Sequence, residues 1–170
     1  MEGTQGGFRF RPLREEDARA IAGWRYDERQ SLDDSRDLDR LLSVPSQYFA
    51  ALSDEGDIVG FCCFGEEARV AGMAAEPEVL DLAGSLRPNL TGIGLGGGFL
   101  RAVCELGREL YAPRAFRLAI PAFHLRAQRV AHALGFERVD LHATAERDYV
   151  LMERADVAPR PRARSPSGAS

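Results

Sequence analysis

Between Leu86 and Leu100 the chain reads LRPNLTGIGLGGGFL, five glycines inside seven residues that run into an apolar pattern. Glycine loses more conformational freedom on folding than any other residue and weakens a helix. A run of it at a helix start therefore marks backbone that a ligand approaches closely, and main-chain N–H groups placed there suit an anion. Behind the glycines, Phe99, Val103, Leu106 and Leu110 recur at helical spacing and predict the principal helix.

Two nucleotide-binding readings of the glycine run fail. Gly92-Ile93-Gly94-Leu95-Gly96-Gly97 satisfies G-x-G-x-x-G, but a Rossmann turn places its glycines directly after the first strand and an acid at the end of the next. Here Arg87 to Thr91 intervene, and the following strand runs out as AIPAF. A P-loop requires a lysine. All 22 basic residues are arginine, which also excludes a Schiff-base lysine. What remains is a strand that splays from its neighbour and feeds a glycine turn, where the N–H groups of Ile93 to Gly97 form a nest for a pyrophosphate.

With 170 residues, 45% of them apolar, the chain fits one domain with a full core. Cys62, Cys63 and Cys104 are odd in number and contain no C-x-x-C pair, so they read as reduced core thiols with neither disulfide nor metal site. A net charge of -4, with the one basic cluster (Arg160, Arg162, Arg164) in a Pro/Ser-rich terminal segment, argues against nucleic acid as a partner. No apolar run is long enough to span a membrane, and no secretory leader is visible, so the expected location is the cytoplasm.

Residues 1–7 and 156–170 lack apolar periodicity and are expected to be tails without structure, leaving 8–155 as the folded unit. Within it, alternation at Phe8 and Phe10 predicts a strand, REEDARAIAGW a helix, and SRDLDRLLSV (residues 35–44) a second short helix. QYFAAL and DIVGFCCFG flank a turn as a hairpin, and EVLDLAGSL leads to the glycine run. AFRLAI, a helix over RAQRVAHAL closed by Gly135, and the strands ERVDL and RDYVLME complete the chain. Helices interleaved with a hairpin-containing sheet give a mixed α/β fold.

SLRPNLTGIGLGGGFL resembles motif A of the GNAT superfamily of N-acetyltransferases, with Thr91, Gly94 and Gly96 at its characteristic positions. Phe8 to Trp24 resembles the family's opening strand and helix, and DIVGFCCFGEE its central hairpin strand. AFHLRAQRVAHALGFERV resembles its motif B through Arg126, Ala127, Gly135 and Phe136. The resemblance implies a splayed, mostly antiparallel sheet flanked by helices and an acetyl-CoA or other acyl-CoA cofactor. It also implies transfer of the acyl group to an amine of a small molecule or peptide. Cofactor contacts are implied at Leu86, Thr91, Gly92, Ile93, Gly94, Leu95, Gly96, Gly97, His124, Arg126 and Ala127, with backbone near Leu86 facing the developing oxyanion. Three positions depart from the family pattern: Thr91 replaces a Gln or Arg, His124 an Asn, and Ala131 the tyrosine that commonly protonates the leaving thiolate. With that tyrosine gone, a GNAT fold that binds CoA without transferring an acyl group is the alternative.

Acyl transfer to an amine needs a base to take the amine proton and an acid for the departing sulfur. Glu66, Glu67 and Asp81 are the available bases, and strand alternation favours Glu67 and Asp81 equally. Tyr149 and His124 are the available protic groups, whereas His132 is turned about 100° from Ala131 around the helix. Trp24 and Tyr26 resemble the family's substrate-side wall. A homodimer is compatible with the sequence, which carries no signal for it.

Overall fold

The computed structural model describes residues 3–5, 7–24, 40, 41, 43–92 and 94–156. Eight strands form one mixed sheet: β1 (Gly3–Gln5), β2 (Phe8–Pro12), β3 (Tyr48–Leu52), β4 (Ile58–Phe64), β5 (Val79–Leu86), β6 (Ala115–Pro121), β7 (Glu137–Ala143) and β8 (Asp148–Ala155). Their order is β1-β2-β3-β4-β5-β6-β8-β7. Helices α1 (Glu15–Ala22), α2 (Gly96–Tyr111) and α3 (Leu125–Ala133) join them. No helix among the described residues is long and apolar enough to cross a membrane.

Every neighbouring pair in the sheet is antiparallel except β5 and β6. That parallel pairing covers only Val79↔Ala115, Leu80↔Phe116 and Asp81↔Arg117. Past Asp81, β5 pairs with β4 from Leu82 to Leu86, while β6 stays on β8 through Pro121. The sheet therefore opens like a V between the two strands, and the carboxyl ends of both point to the opening.

Helix α2 lies against this sheet through Phe99, Ala102, Val103 and Leu106, all buried. Fully burying side chains such as those of Phe99, Val103 and Leu106 contributes about 1.5 to 3 kcal/mol each, so this face anchors the helix. Gly84 on β5 makes the approach close: a Cβ there would sit 2.8 Å from the Phe61 carbonyl oxygen and 3.3 Å from the Phe99 ring. Phe99 also meets Phe8 edge-on, with ring centroids 5.6 Å apart. The three cysteines are free and buried, and burial pushes the Cys104 thiol up to about 11.

One boundary differs from the sequence expectation. Gly3–Gln5, read as part of a structureless tail, pairs antiparallel with β2. Strand pairing on a sheet edge uses main-chain groups, so it needs no apolar pattern in the added strand. The helix expected over residues 35–44 falls mostly outside the described residues, as do residues 157–170 of the carboxyl-terminal segment.

Candidate functional site

A cavity of about 1260 Å³ opens in the V between β5 and β6, and its walls reach from the glycine turn to the turn that follows β4. On the glycine side, Arg87-Pro88 ends β5 and a 3-10 turn over Pro88–Leu90 leads to Thr91. Gly92 and Gly94 then adopt φ of 77° and 86°, a region that side chains other than glycine rarely enter. The chain so delivered starts α2 at Gly96 with Leu95 as its N-cap and no side chain capping it. The N–H groups of Gly96, Gly97 and Gly98 make no hydrogen bond to the described residues. An uncapped helix start with open donors carries partial positive charge and favours an anion.

Arg126, at the start of α3, adds a full positive charge to the same place. Its guanidinium packs on Gly92 so closely that a Cβ there would lie 2.5 Å from Nη1. No hydrogen bond or ion pair links this guanidinium to the described residues. His124 occupies the N-cap position of α3 without capping it, and it lines the cavity. Burial, with Arg126 adding to it, holds its imidazole below the ordinary value, which favours the neutral ring. Ala127 and Ala131 line the cavity on the same helix, and no phenol occupies position 131.

Thr91, an implied cofactor contact, lines the cavity with its hydroxyl already engaged. Its Oγ1 donates to the Pro88 carbonyl at 2.8 Å and so closes the 3-10 turn. Ile93 and Tyr26 lie outside the described residues.

The opposite wall is built from side chains. A 3-10 turn over Gly65–Ala68 follows β4 and brings Glu66 and Glu67 to the cavity. Glu67 is largely buried, its side chain 15% exposed. It accepts a hydrogen bond from the Tyr48 hydroxyl at 2.9 Å and one from Arg40 at 3.1 Å. Burial, then the neighbouring Cys63 and Glu67, push the Tyr48 phenol above its ordinary range, so Tyr48 keeps its proton and remains a donor. Trp24 lines the same region, with its ring centroid 6.1 Å from that of Phe61. Tyr149 projects from β8 into the cavity, near the end where β6 meets α3.

Asp81, one of the expected bases, does not line the cavity. It is 1% exposed and accepts from Arg117 Nε at 2.6 Å, Arg117 Nη2 at 3.1 Å and Arg69 Nε at 2.8 Å. A carboxylate held by two guanidiniums behind the sheet surface cannot reach a substrate proton, so the base expectation at Asp81 is corrected to a structural ion pair. Strand alternation fails there because Asp81 sits where β5 changes partner, and the arginines that claim it come from elsewhere in the chain. Of the two favoured acids, Glu67 alone faces the cavity. Sequence reasoning missed Tyr48, Arg40 and Arg69 because their partners lie 12 to 27 residues away and no local pattern records those contacts.

A family profile described as "Acetyltransferase (GNAT) family" matches residues 11–136, which include the glycine turn and both helices that frame it. The chain belongs to the GNAT acetyltransferase family. This GNAT chain resembles the solved structure of AAC(6')-Ib in complex with paromomycin and acetyl-CoA at 23% identity and a TM-score of 0.71, covering 94% of this chain and 99% of that one. It resembles an acetyltransferase (GNAT family) from Bacillus anthracis at 13% identity and a TM-score of 0.66, covering 91% and 98%. A spermidine N-acetyltransferase chimera from Vibrio cholerae and hSSAT is similar at 12% identity and a TM-score of 0.66, covering 88% and 95%. At these identities the likeness is one of fold. A sequence comparison with curated proteins found no match.

Proposed function

We propose that this chain transfers an acetyl group from acetyl-CoA to a primary amine of a small molecule or peptide. The observation that carries this reading is the placement of two unlike walls on one cavity, open backbone donors with Arg126 on one side and Glu67 on the other, with Tyr149 also lining it. The residues present fit the cofactor, because an uncapped sixteen-residue helix and an unpaired guanidinium together suit a pyrophosphate. When bound, acetyl-CoA supplies the activated acyl group as a thioester. The neighbouring structures with acetyl-CoA and an aminoglycoside, and the spermidine acetyltransferase, support an amine as the acceptor.

The chain's own groups then divide the work. The pairing of β5 with β6 ends at Asp81, so the main chain of β5 near Leu86 borders the opening, where an N–H would face the oxygen that becomes negative during transfer. Glu67, held in place by Tyr48 and Arg40, takes the proton of the attacking amine, directly or through one water. Tyr149 supplies a proton to the departing sulfur in the role that Ala131 cannot fill. Trp24 and Phe61 form the apolar side of the acceptor space.

Incubation with acetyl-CoA and a panel of primary amines, with free thiol measured, tests this reading. Amine-dependent thiol release is expected. CoA binding without thiol release from any amine would show the alternative, a GNAT fold that holds CoA and transfers nothing.

A further inference from the structure

The acceptor wall carries a cation that neither the cofactor site nor the base uses. Among the described residues four arginines line the cavity, Arg40, Arg69, Arg126 and Arg147. Arg40 is engaged with Glu67, Arg147 stacks on Phe123 with its guanidinium carbon 5.7 Å from the ring centroid, and Arg126 lies at the glycine turn. Arg69 is different. It sits directly after the turn that bears Glu67, its side chain 23% exposed, and only its Nε is engaged, on Asp81.

Asp81 fixes the direction of that guanidinium. The carboxylate is 1% exposed and is itself locked by Arg117, whose remaining donors hold Glu76 at 2.7 Å and the Ala74 carbonyl at 2.8 Å. Arg69 therefore cannot swing freely, and its Nη1 and Nη2 make no hydrogen bond to the described residues. A planar guanidinium pinned at Nε, with its outer donors open toward a cavity, matches a carboxylate oxygen pair in direction and charge. The acceptor wall so reads a second group on the substrate, at a point separate from the amine.

Resting on the acetyl-transfer reading above, we infer that the acceptor is an amino carboxylate, whose amine faces Glu67 and whose carboxylate is held by Arg69. The anion is what distinguishes this class from the polyamines: Arg69 gives a spermidine-like acceptor nothing to bind and adds repulsion. Glu66 and Glu146 at the cavity margin carry the opposite charge, and a purely cationic acceptor would use them in place of Arg69.

The test compares acids with their amides. Specificity constants are measured with acetyl-CoA for β-alanine against β-alaninamide and for L-phenylalanine against L-phenylalaninamide, with spermidine and kanamycin as acceptors that carry no anion. The native protein is expected to favour at least one acid over its amide by about tenfold to a hundredfold, the worth of a charge-assisted hydrogen-bonded contact. Arg69→Gln should bring that ratio close to one, mainly by raising KM for the acid, while CoA still binds by calorimetry. Arg69→Lys, which keeps the charge and loses the fork, should fall between. A ratio near one in the native protein, a ratio unchanged in Arg69→Gln, or turnover confined to spermidine and kanamycin would overturn the inference and leave amine acetylation standing. No thiol release with any acceptor would remove both.

Discussion

The glycine side of the cavity is made of backbone, whereas the side that carries Glu67 is made of side chains. At the glycine turn, two residues with positive φ and three open N–H groups define the surface, and the charged side chain of Arg126 is pressed against it. Across the cavity, Tyr48 and Arg40 hold Glu67, and behind them Arg69 and Arg117 hold Asp81, two separate sets of hydrogen bonds and ion pairs. Backbone donors recognise what every acyl-CoA shares, and they tolerate sequence change as long as the turn survives. Side-chain arrays recognise what differs between acceptors, and each member depends on the others. On the acetyl-transfer proposal the glycine side is the cofactor grip and the Glu67 side the acceptor wall, and the two should fail independently when mutated.

The largest expected effect lies at Glu67, the proposed base. Glu67→Gln leaves an amide oxygen to accept from Arg40 and an NH2 that can donate to the Tyr48 hydroxyl, but removes the proton acceptor, so turnover should fall by about 10²- to 10⁴-fold. CoA affinity should not follow it. Single-turnover rates beside calorimetric CoA titration check both halves, and an equal loss in both would mean that the two walls are not separate.

Next in size is the ion pair behind the acceptor wall. Asp81→Ala leaves Arg117, 4% exposed, without its buried carboxylate and with the half-exposed Glu76 as its remaining ion-pair partner, and it releases Arg69. Removing one partner of such a buried pair costs about 3 to 5 kcal/mol. Denaturant unfolding should register that loss, while the folded fraction still binds CoA. Stability within 1 kcal/mol of native, taking ~1 kcal/mol as an ordinary substitution's effect, would contradict the placement of Asp81.

The same contrast explains how much was legible from the amino-acid string. Gly92 to Gly98 and the helix behind them are local signals, and Gly135 closes α3 at φ 91° where a helix-ending glycine is expected. Even Arg126, 34 residues beyond Gly92, was reachable through the family pattern, since motif B carries it. The acceptor wall had no such signal. Asp81 and Arg117 meet because β5 and β6 run parallel for only three pairs, a property of strand pairing that neither segment announces. Alternation along β5 left Asp81 open as a base, and the long-range arginines closed it. The strand at Gly3–Gln5 was missed for a related reason, because its partner and not its own composition makes it a strand.

The claim that the glycine turn holds CoA through its backbone is tested most directly by calorimetric titration of CoA into the native protein and Gly94→Glu. A Cβ at Gly94 meets no atom within 4 Å, so the new side chain enters open space, and the cost to stability is the strain of φ 86°, about 1 to 3 kcal/mol. The carboxylate would stand where the pyrophosphate binds, with like charges facing each other at the helix start. The native chain should bind CoA, and the folded variant should bind it at least about a hundredfold more weakly, in line with the loss of a charge-assisted contact. Equal affinity in a folded Gly94→Glu protein would contradict the account.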